Sequence, residues 1–405
     1  MKMGNVIVGQ SGGPTAVINA SLAGVFEAAK AKGAKVYGMV NGIEGLLGES
    51  YVDLSEHLTS GMDIEILKRT PASYLGSCRF KLPDVNKNEK IYEDVFKILK
   101  KLEVKHFFYI GGNDSMDTIQ KLSAYAERIK SDITFIGVPK TIDNDLAVTD
   151  HTPGYGSAAK YIASTMKELI CDSNVYDMQC VTIVEIMGRN AGWLTAASAL
   201  SKSAGCMGPD LIYLPEAVFD YEKFIEKINE VRKQHSCITI AVSEGIKDKN
   251  GKYICETDVQ DVFGHTMLGG TALYLSDCVS RDLGIKSRGI EFSTVQRCAS
   301  HLASETDVLE AYNAGVTAVK FASTGESGKM VIFRRVSDFP YEITNEIYDI
   351  NKIANLEKAV PSEWIINDGT YVSDEFINYA RPLIQGEVYP YMVDGMPQHI
   401  YIKKK

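Results

Sequence analysis

Short apolar runs alternate along this chain with longer stretches whose apolar residues recur at helical spacing. The composition of a buried strand is found at residues 6–8, 35–40, 106–110, 133–137, 181–186, 210–214 and 238–243. Amphipathic helical patterns are found at 16–32, 91–103, 116–130, 157–170, 193–203, 221–234 and within 266–283. Because strands that alternate with helices form parallel sheets, the pattern predicts an α/β fold with doubly wound, mostly parallel, Rossmann-like sheets.

The alternation of strand and helix occurs in two runs, and the second run begins after residue 145. We therefore predict two domains, at 1–150 and 151–295, whose strand ends face each other across a cleft. Residues 296–405 are expected to return and pack on both domains, and from about residue 344 they are aromatic-rich and less regular. Residues 41–47 are predicted to form a loop.

Composition narrows the class of protein. With 405 residues, of which 45% are hydrophobic, the chain can bury a large core. Its net charge of −9 and its lack of a dense basic tract argue against a nucleic-acid partner. Eight scattered cysteines without a CxxC pair suit free thiols in a reducing compartment. No apolar stretch approaches membrane-spanning length and no signal sequence is recognisable, so we expect a cytoplasmic protein without a membrane partner.

Glycines and polar residues follow four of the predicted strands, at 9–15, 111–115, 138–145 and 187–192. Open α/β sheets bind their ligands at these carboxyl ends. In the first turn, glycine lets the backbone approach an anion, and the helix that follows supplies unpaired N–H groups. The turn matches neither GxxxxGK[ST] nor a clean GxGxxG, so it predicts phosphate binding only in general terms.

The segment after the fourth predicted strand carries the richest chemistry. Pro139 breaks regular structure, so the next residues should form a loop at the carboxyl end of that strand. Lys140 offers a cation for phosphate oxygens, while Asp143 and Asp145 suit a proton acceptor and a magnesium ligand. With Thr141 this set suits phosphoryl transfer. A charged surface turn would have the same composition.

Three short motifs carry a resemblance to a known family. They are Thr141-Ile142-Asp143-Asn144-Asp145, Met187-Gly188-Arg189 and Ser243-Glu244-Gly245, followed by Arg288 and Arg297. In this order and at this spacing they resemble the phosphofructokinase family, in register from about residue 5 to residue 330. The resemblance implies the phosphofructokinase fold, a magnesium cofactor and the transfer of phosphate to the 1-hydroxyl of fructose 6-phosphate.

The resemblance also implies roles for the residues on the donor side. Asp143 corresponds to the general base that takes the proton of the sugar's 1-hydroxyl, with Thr141 beside the substrate. Asp145 corresponds to a carboxylate on the magnesium side. Gly12 corresponds to a backbone contact with the phosphoryl donor, and Arg79 to a basic residue near the transferred phosphate.

Further residues correspond to contacts with the sugar phosphate. Those at the ends of two later strands are Met187, Gly188, Arg189 and Glu244. Arg288 and Arg297 correspond to arginines that grip the 6-phosphate, and the first of them reaches in from a neighbouring subunit. Arginine's planar fork suits phosphate oxygens. The resemblance therefore implies a homo-oligomer, a dimer or a tetramer, with a site shared between subunits.

Two positions bear on the phosphoryl donor. ATP-dependent members typically have glycine where this chain has Asp114 and Lys140, whereas aspartate with lysine resembles the diphosphate-dependent branch. A carboxylate at 114 would lie where the α-phosphate of a nucleotide must go, and like charges about 4 Å apart repel by roughly 4 kcal/mol at an effective dielectric near 20. Lys140 would neutralise oxygens of the transferring phosphoryl group. Asp114 or Ser115 is also the predicted N-cap of the next helix.

Three positions depart from the family pattern. Asn113 stands where an aspartate usually helps to hold magnesium, and an amide oxygen is a weaker ligand for this ion than a carboxylate. Thr294 replaces the aromatic residue or histidine commonly found three residues before the equivalent of Arg297. Cys180 falls where many members have a basic residue that contacts substrate across a subunit boundary.

The resemblance thus implies a reversible, diphosphate-dependent 6-phosphofructokinase activity. Residues 1–150 would bind diphosphate and magnesium, and residues 151–295 the sugar phosphate. An ATP-dependent enzyme of the same family and a non-catalytic sugar-phosphate sensor are the alternatives, but a sensor has no need of a base such as Asp143. A dinucleotide-dependent oxidoreductase is disfavoured because no GxGxxG motif is followed by a ribose-binding acid.

Overall fold

A computed structural model describes residues 3–175, 178–260 and 266–402 of the chain. The chain divides into two compact units. Unit 1 comprises Met1–Ser157, Arg297–Glu357 and Gln385–Lys405, and unit 2 comprises Ala158–Gln296 and Lys358–Ile384. Unit 1 continues past the predicted boundary at residue 150, and the predicted C-terminal segment is divided between the units.

The chain up to the end of α7 alternates strands and helices. The strands are β1 (Asn5–Gln10), β2 (Val36–Met39), β3 (Tyr51–Asp53), β4 (Val104–Gly111) and β5 (Thr134–Pro139). The helices are α1 (Ile18–Ala31), α2 (Gly42–Leu47), α3 (Leu54–His57), α4 (Gly61–Arg69), α5 (Glu89–Lys101), α6 (Asn113–Arg128) and α7 (Tyr155–Ser173).

The middle part of the chain continues the alternation. Its strands are β6 (Cys180–Ile186), β7 (Leu211–Tyr213), β8 (Cys237–Ser243), β9 (Glu256–Gln260), β10 (Thr266–Leu268) and β11 (Lys286–Glu291). Its helices are α8 (Trp193–Ala196), a 3-10 helix (Ala197–Ser201), α9 (Tyr221–Val231) and α10 (Thr271–Leu283).

The last part of the chain contains helices, a long hairpin and short strands. The strands are β12 (Lys329–Asp338), β13 (Tyr341–Asp349), β14 (Ile365–Ile366), β15 (Tyr371–Val372), β16 (Met392–Val393) and β17 (Met396–Pro397). The α-helices are α11 (Val295–Cys298), α12 (Glu305–Ala322) and α13 (Asp374–Ala380). The 3-10 helices are Ser300–Leu302, Ile350–Lys352, Ser362–Trp364, Asn367–Gly369 and Arg381–Ile384.

Unit 1 is built on a seven-stranded sheet in the order β13-β12-β5-β4-β1-β2-β3. The strands from β12 to β2 pair in parallel, whereas β3 and β13 pair antiparallel at the two edges. Phe107 and Phe108 of β4 point to opposite faces and are both fully buried, as in a sheet covered on both sides. This confirms the predicted α/β fold with a mostly parallel sheet.

Helices α1 and α12 cover one face of unit 1 and pack unusually closely. A Cβ atom on Gly24 of α1 would lie 2.0 Å from the carbonyl oxygen of Tyr312, and one on Gly315 of α12 would lie 2.2 Å from that of Ser21. Only glycine allows this approach of the two backbones. The returning segment thereby becomes part of the core of unit 1.

Unit 2 contains a four-stranded parallel sheet in the order β11-β6-β8-β7. Strands β6 and β8 are in register from Cys180 and Cys237 to Ile186 and Ser243. The residues of these two strands are buried except at Cys180, so side chains of apolar helices pack on both faces.

The predicted helix at 193–203 is present as one turn of α-helix followed by a 3-10 helix. Three local predictions were wrong. Residues 41–47 include helix α2 rather than forming only a loop. Helix α6 begins at Asn113 instead of Met116. The hairpin strand β13 runs to Asp349, so regular structure continues past residue 344. In the described parts of the chain, no helix is long and apolar enough to cross a membrane.

Candidate active site

The loop after β5 turns sharply at Asn144. This residue has a φ of 54°, a left-handed conformation that asparagine tolerates better than most residues. Its buried side chain accepts a hydrogen bond from the Thr152 N–H at 3.1 Å. The turn separates Asp143 from Asp145, so the two carboxylates leave the backbone on either side of a fixed residue.

Thr141 and Asp143 orient each other. The Thr141 hydroxyl donates to the Asp143 carboxylate at 3.3 Å, and the Asp143 N–H donates to the same hydroxyl oxygen at 3.1 Å. The Thr152 hydroxyl donates to the Thr141 carbonyl at 2.8 Å. The preceding residue, His151, is held between Asp150 at 2.8 Å and Glu310 at 2.6 Å, which anchors the return of the loop.

Lys140 is buried beneath the first glycine turn. It is 3% exposed, and its Nζ donates to the Gly13 carbonyl at 2.7 Å. A Cβ atom on Gly12, whose φ is +76°, would lie 3.2 Å from that Nζ. The glycine turn after β1 and the lysine after β5 thus form one group of residues. The sequence predicted both parts but not this contact.

The surroundings of Lys140 and Asp143 shift the pKa of both groups. Burial lowers the pKa of Lys140 to about 8, against the opposing charges of Asp143 and Asp145. Burial likewise raises the pKa of Asp143, although its bond with Thr141 and the charge of Lys140 favour the carboxylate. Glu357 adds to the raised pKa of Asp143. A carboxylate with a raised pKa is a stronger proton acceptor, which suits a general base.

Two arginines lie on the same side of unit 1. An Nη atom of Arg297 is 3.3 Å from the position of a Cβ atom on Gly13, and its charge helps to lower the pKa of Lys140. Arg79 is exposed in an irregular segment two residues after Ser77, whose hydroxyl donates to the Gly12 carbonyl at 2.7 Å. Both arginines are therefore near the glycine turn.

The predicted N-cap of α6 is wrong, because Gly112 occupies that position and Asp114 lies inside the first turn. The Asp114 side chain is 55% exposed and forms a long ion pair of 3.9 Å with Lys81. Its charge also acts to raise the pKa of Lys140. The charges of Asp114 and Lys140 are therefore close enough to interact.

A magnesium ion would find few protein ligands in unit 1. Among residues 3–175, 178–260 and 266–402, no three His, Cys, Asp or Glu side chains form a cluster that could hold a metal ion. The Asn113 side-chain oxygen, however, is buried without a hydrogen-bond partner. Magnesium usually binds through one or two protein oxygens together with substrate phosphates. The unpartnered oxygen of Asn113 fits such a role.

In unit 2 the turn after β6 contacts the turn after β8. The Gly188 N–H donates to the Glu244 carboxylate at 3.3 Å, and the Ser243 hydroxyl donates to the Gly188 carbonyl at 2.5 Å. A Cβ atom on Gly245 would lie 2.0 Å from the Arg189 carbonyl oxygen. Glycine at 245 thus permits the close approach that brings the predicted residues of both turns together, with Met187 directly before Gly188.

Arg288 lies apart from that group. Arg288 is exposed on β11 and pairs with Thr182, whereas Met187 follows the far end of β6. Thr294 is exposed just after Ser293, which has a φ of 43°.

A comparison with known protein families identifies the family of this chain. Residues 5–322 match the model of the family described as Phosphofructokinase. The chain belongs to the phosphofructokinase family.

Relatives within the phosphofructokinase family cover almost the whole chain. The chain is 40% identical over 403 residues to the pyrophosphate–fructose 6-phosphate 1-phosphotransferase of Halomonas elongata, covering 98% of this chain and 96% of that protein. It is 39% identical over 401 residues to the protein of the same name from Methylococcus capsulatus, covering 98% and 95%. The crystal structure of pyrophosphate-dependent phosphofructokinase from Nitrosospira multiformis superposes with a TM-score of 0.89 at 37% identity, covering 99% and 98%.

The sequence did not point to Glu216, which supports the turn after β6. One of its carboxylate oxygens accepts the Gly192 N–H at 2.8 Å and the Val360 N–H at 3.0 Å. Its other oxygen is buried without a hydrogen-bond partner. Glu216 follows β7 in a segment without any recognisable motif, and its partners are distant in sequence. No local signal could have identified it.

Gln296 was missed for the same reason. Its side-chain oxygen accepts the Met187 N–H at 3.3 Å, and its amide group donates to the Ser293 carbonyl at 2.8 Å. Gln296 thus ties the turn after β6 to the segment that carries Thr294. A single glutamine before Arg297 in the sequence does not predict this contact.

Proposed function

We propose that this protein transfers a phosphoryl group from diphosphate to the 1-hydroxyl of fructose 6-phosphate, giving fructose 1,6-bisphosphate and phosphate. The observation that carries the proposal is the position of Lys140. Its buried ammonium group contacts the glycine turn at Gly13 and lies in the same loop as Asp143. Relatives about 40% identical over nearly the full chain bear the name of this activity.

Each donor-side residue has a distinct task in the proposed reaction. The backbone at Gly12 approaches the diphosphate, because no side chain intervenes there, and Lys140 neutralises the oxygens of the phosphoryl group in transit. Asp143 accepts the proton of the 1-hydroxyl as the hydroxyl oxygen bonds to phosphorus. The bond from phosphorus to the bridging oxygen breaks, and phosphate leaves. Arg79 adds positive charge near the transferred group.

Magnesium would be held by Asp145, Asn113 and oxygens of the diphosphate. Bound there, it would neutralise charge on the phosphates and orient them. Asn113 contributes a neutral oxygen, so the diphosphate supplies much of the charge that holds the ion. The weak protein site predicts that magnesium binds tightly only together with diphosphate.

The remaining predicted residues bind the sugar phosphate. In unit 2 these are Met187, Gly188, Arg189 and Glu244, whose carboxylate suits sugar hydroxyls, and Thr141 acts with them. Arg288, Arg297 and Thr294 contact the 6-phosphate, with Arg288 supplied by a neighbouring subunit of a homo-oligomer. The bond broken in diphosphate and the phosphate ester formed at the 1-hydroxyl are comparable in energy, so the reaction runs in both directions. We expect it in the cytoplasm, a reducing compartment that suits its eight free thiols.

Phosphorus NMR tests the proposal directly. With fructose 6-phosphate, magnesium and diphosphate, the diphosphate signal should disappear while equal amounts of phosphate and fructose 1,6-bisphosphate appear. Starting from the products, the reverse change should occur. If diphosphate persists at high enzyme concentration, the proposed reaction is wrong.

Two variants assign the reaction to the loop. Asp143→Asn keeps the shape of the side chain but cannot accept a proton, so turnover should fall roughly 10²–10⁴-fold with little change in substrate affinity. Asp132→Asn is the control. Asp132 lies just before the first residue of β5, at the end away from the loop, and forms an exposed ion pair with Lys105. It should behave like the wild-type protein.

A further inference from the structure

Two thiols of unit 2 lie side by side on neighbouring strands. Cys180 begins β6 and Cys237 begins β8, and the two residues are direct partners in the parallel register. Their Sγ atoms are 3.2 Å apart, closer than two sulfurs that merely touch in a core. Both are free thiols. Neither belongs to the group of residues proposed for phosphoryl transfer.

The direct pairing of the two residues is compatible with a disulfide. Adjacent strands lie about 4.8 Å apart. The two Cα atoms of a disulfide are usually about 4.4–6.8 Å apart, and its sulfurs about 2.05 Å. The two Sγ atoms therefore need to approach by only about 1 Å, which rotation about the Cα–Cβ bonds can supply.

The two cysteines differ in access. Cys180 is partly exposed and lines a small surface cavity together with Met178 and Lys286. Cys237 is 7% exposed, and its Sγ also lies 3.0 Å from the Ser173 carbonyl oxygen. Within one subunit, a small reagent can therefore reach Cys180 but not Cys237. The buried thiol is in position to react only with a group already attached to its neighbour.

We propose that Cys180 and Cys237 form a dithiol–disulfide site that reacts with low-molecular-weight disulfides such as oxidised glutathione. The thiolate of Cys180 attacks one sulfur of the reagent, forms a mixed disulfide and releases one small thiol. The thiolate of Cys237 then attacks the Cys180 sulfur and releases the second small thiol. The two protein thiols lose two electrons and two protons in total, and the reagent gains both.

The disulfide would join the amino ends of β6 and β8. The turns at Met187 and Glu244 follow the carboxyl ends of the same strands. The proposed bond thus connects two strands that support the substrate turns without involving a residue of those turns. It would also consume the thiol at 180, which lies in one cavity with Arg288.

Peptide mapping of the full-length protein after incubation with oxidised glutathione tests the proposal. We expect an intramolecular disulfide between the peptides that carry Cys180 and Cys237, and its loss on reduction. An oxidised protein in which these two peptides remain unlinked would overturn the proposal. So would a disulfide that joins Cys180 to the exposed Cys171 instead.

Single variants test the order of the two steps. Cys237→Ser should trap glutathione on Cys180, because no thiol is present to resolve the mixed disulfide. Cys180→Ser should leave Cys237 unmodified in the folded protein. Glutathione found on Cys237 of that variant would contradict the assigned order. Cys171→Ser is the matched control, and its Cys180–Cys237 bond should form at the wild-type rate.

Discussion

Lys140 is a buried lysine whose charge must be present for its proposed task. Its pKa of about 8 lies below the usual 10.5, so the free protein holds the charge below pH 8 and loses it above. We therefore predict that kcat/KM for diphosphate falls above about pH 8, approaching tenfold per pH unit. The measurement is the pH profile of kcat/KM at saturating fructose 6-phosphate and constant free magnesium.

The Lys140→Arg variant is the control for this decrease in kcat/KM at alkaline pH. A guanidinium group stays charged throughout the range. Titration of diphosphate or of magnesium complexes would affect both proteins equally. The alkaline decrease should therefore disappear in the variant, even if its overall rate is lower. The same alkaline decrease in both proteins would show that a group other than Lys140 causes it.

The Asp114 side chain is about half exposed, so solvent weakens the repulsion between its charge and a phosphate of ATP. At 55% exposure and with Lys81 at 3.9 Å, its repulsion of a phosphate about 4 Å away lies between roughly 1 kcal/mol in water and roughly 4 kcal/mol near a protein surface. Charge thus accounts for about a fivefold to a thousandfold preference. The bulk of the side chain would add to this effect.

We predict that Asp114→Gly admits ATP as a donor and lowers turnover with diphosphate, because Lys140 loses a nearby opposite charge. Lys140→Gly should damage diphosphate turnover without admitting ATP. The two changes should be non-additive, since both act on one small volume. Values of kcat/KM for both donors in the single and double variants test this. If ATP remains as poor a donor after Asp114→Gly, the preference arises elsewhere.

At the scale of elements, Glu216 supports the turn between β6 and α8. Because it accepts N–H groups of Gly192 and Val360, Glu216→Ala should loosen that turn and raise the KM for fructose 6-phosphate roughly tenfold. The KM for diphosphate should not change. Glu216→Gln keeps an acceptor oxygen and should restore most of the affinity.

Asp220→Ala separates this positioning effect from a general loss of stability. Asp220 caps α9 in the same unit by accepting the N–H groups of Glu222 and Lys223. Its removal should lower the melting temperature without changing either KM. A rise in the KM for fructose 6-phosphate in both variants would mean that Glu216 only stabilises the unit.

Strong periodicity made most elements predictable, and long-range contacts explain much of the rest. Buried strands such as β4 and amphipathic helices such as α5 are specified by their own residues. Helix α2 was missed because its glycines predict a turn, although Gly45 serves a close approach, with a Cβ position 1.6 Å from the Val40 carbonyl oxygen. Strand β13 alternates only weakly because it is an exposed edge.

In the candidate site, too, local features could be predicted from the sequence and long-range contacts could not. The loop from Lys140 to Asp145 was recognisable because its residues are adjacent in sequence. The contact of Lys140 with Gly13 joins residues 127 positions apart, and no local pattern encodes it. Nor could the sequence assign Arg297 to unit 1, since that depends on how the returning segment packs.

At the scale of the whole molecule, the exposed position of Arg288 agrees with the proposal that it serves a neighbouring subunit. We predict that mixing Arg288→Ala subunits with Asp143→Asn subunits restores part of the activity. Each hybrid dimer would contain one site with both defects and one with neither. If proven hybrids remain as inactive as the parents, each subunit completes its own site.

We infer that the phosphoryl donor is diphosphate and not ATP. The most direct measurement is the rate of fructose 1,6-bisphosphate formation by the wild-type protein, with the two donors compared at the same magnesium and fructose 6-phosphate concentrations. We predict efficient turnover with diphosphate and a kcat/KM for ATP at least about a hundredfold lower. An equal or higher kcat/KM with ATP would contradict the roles assigned to Asp114 and Lys140.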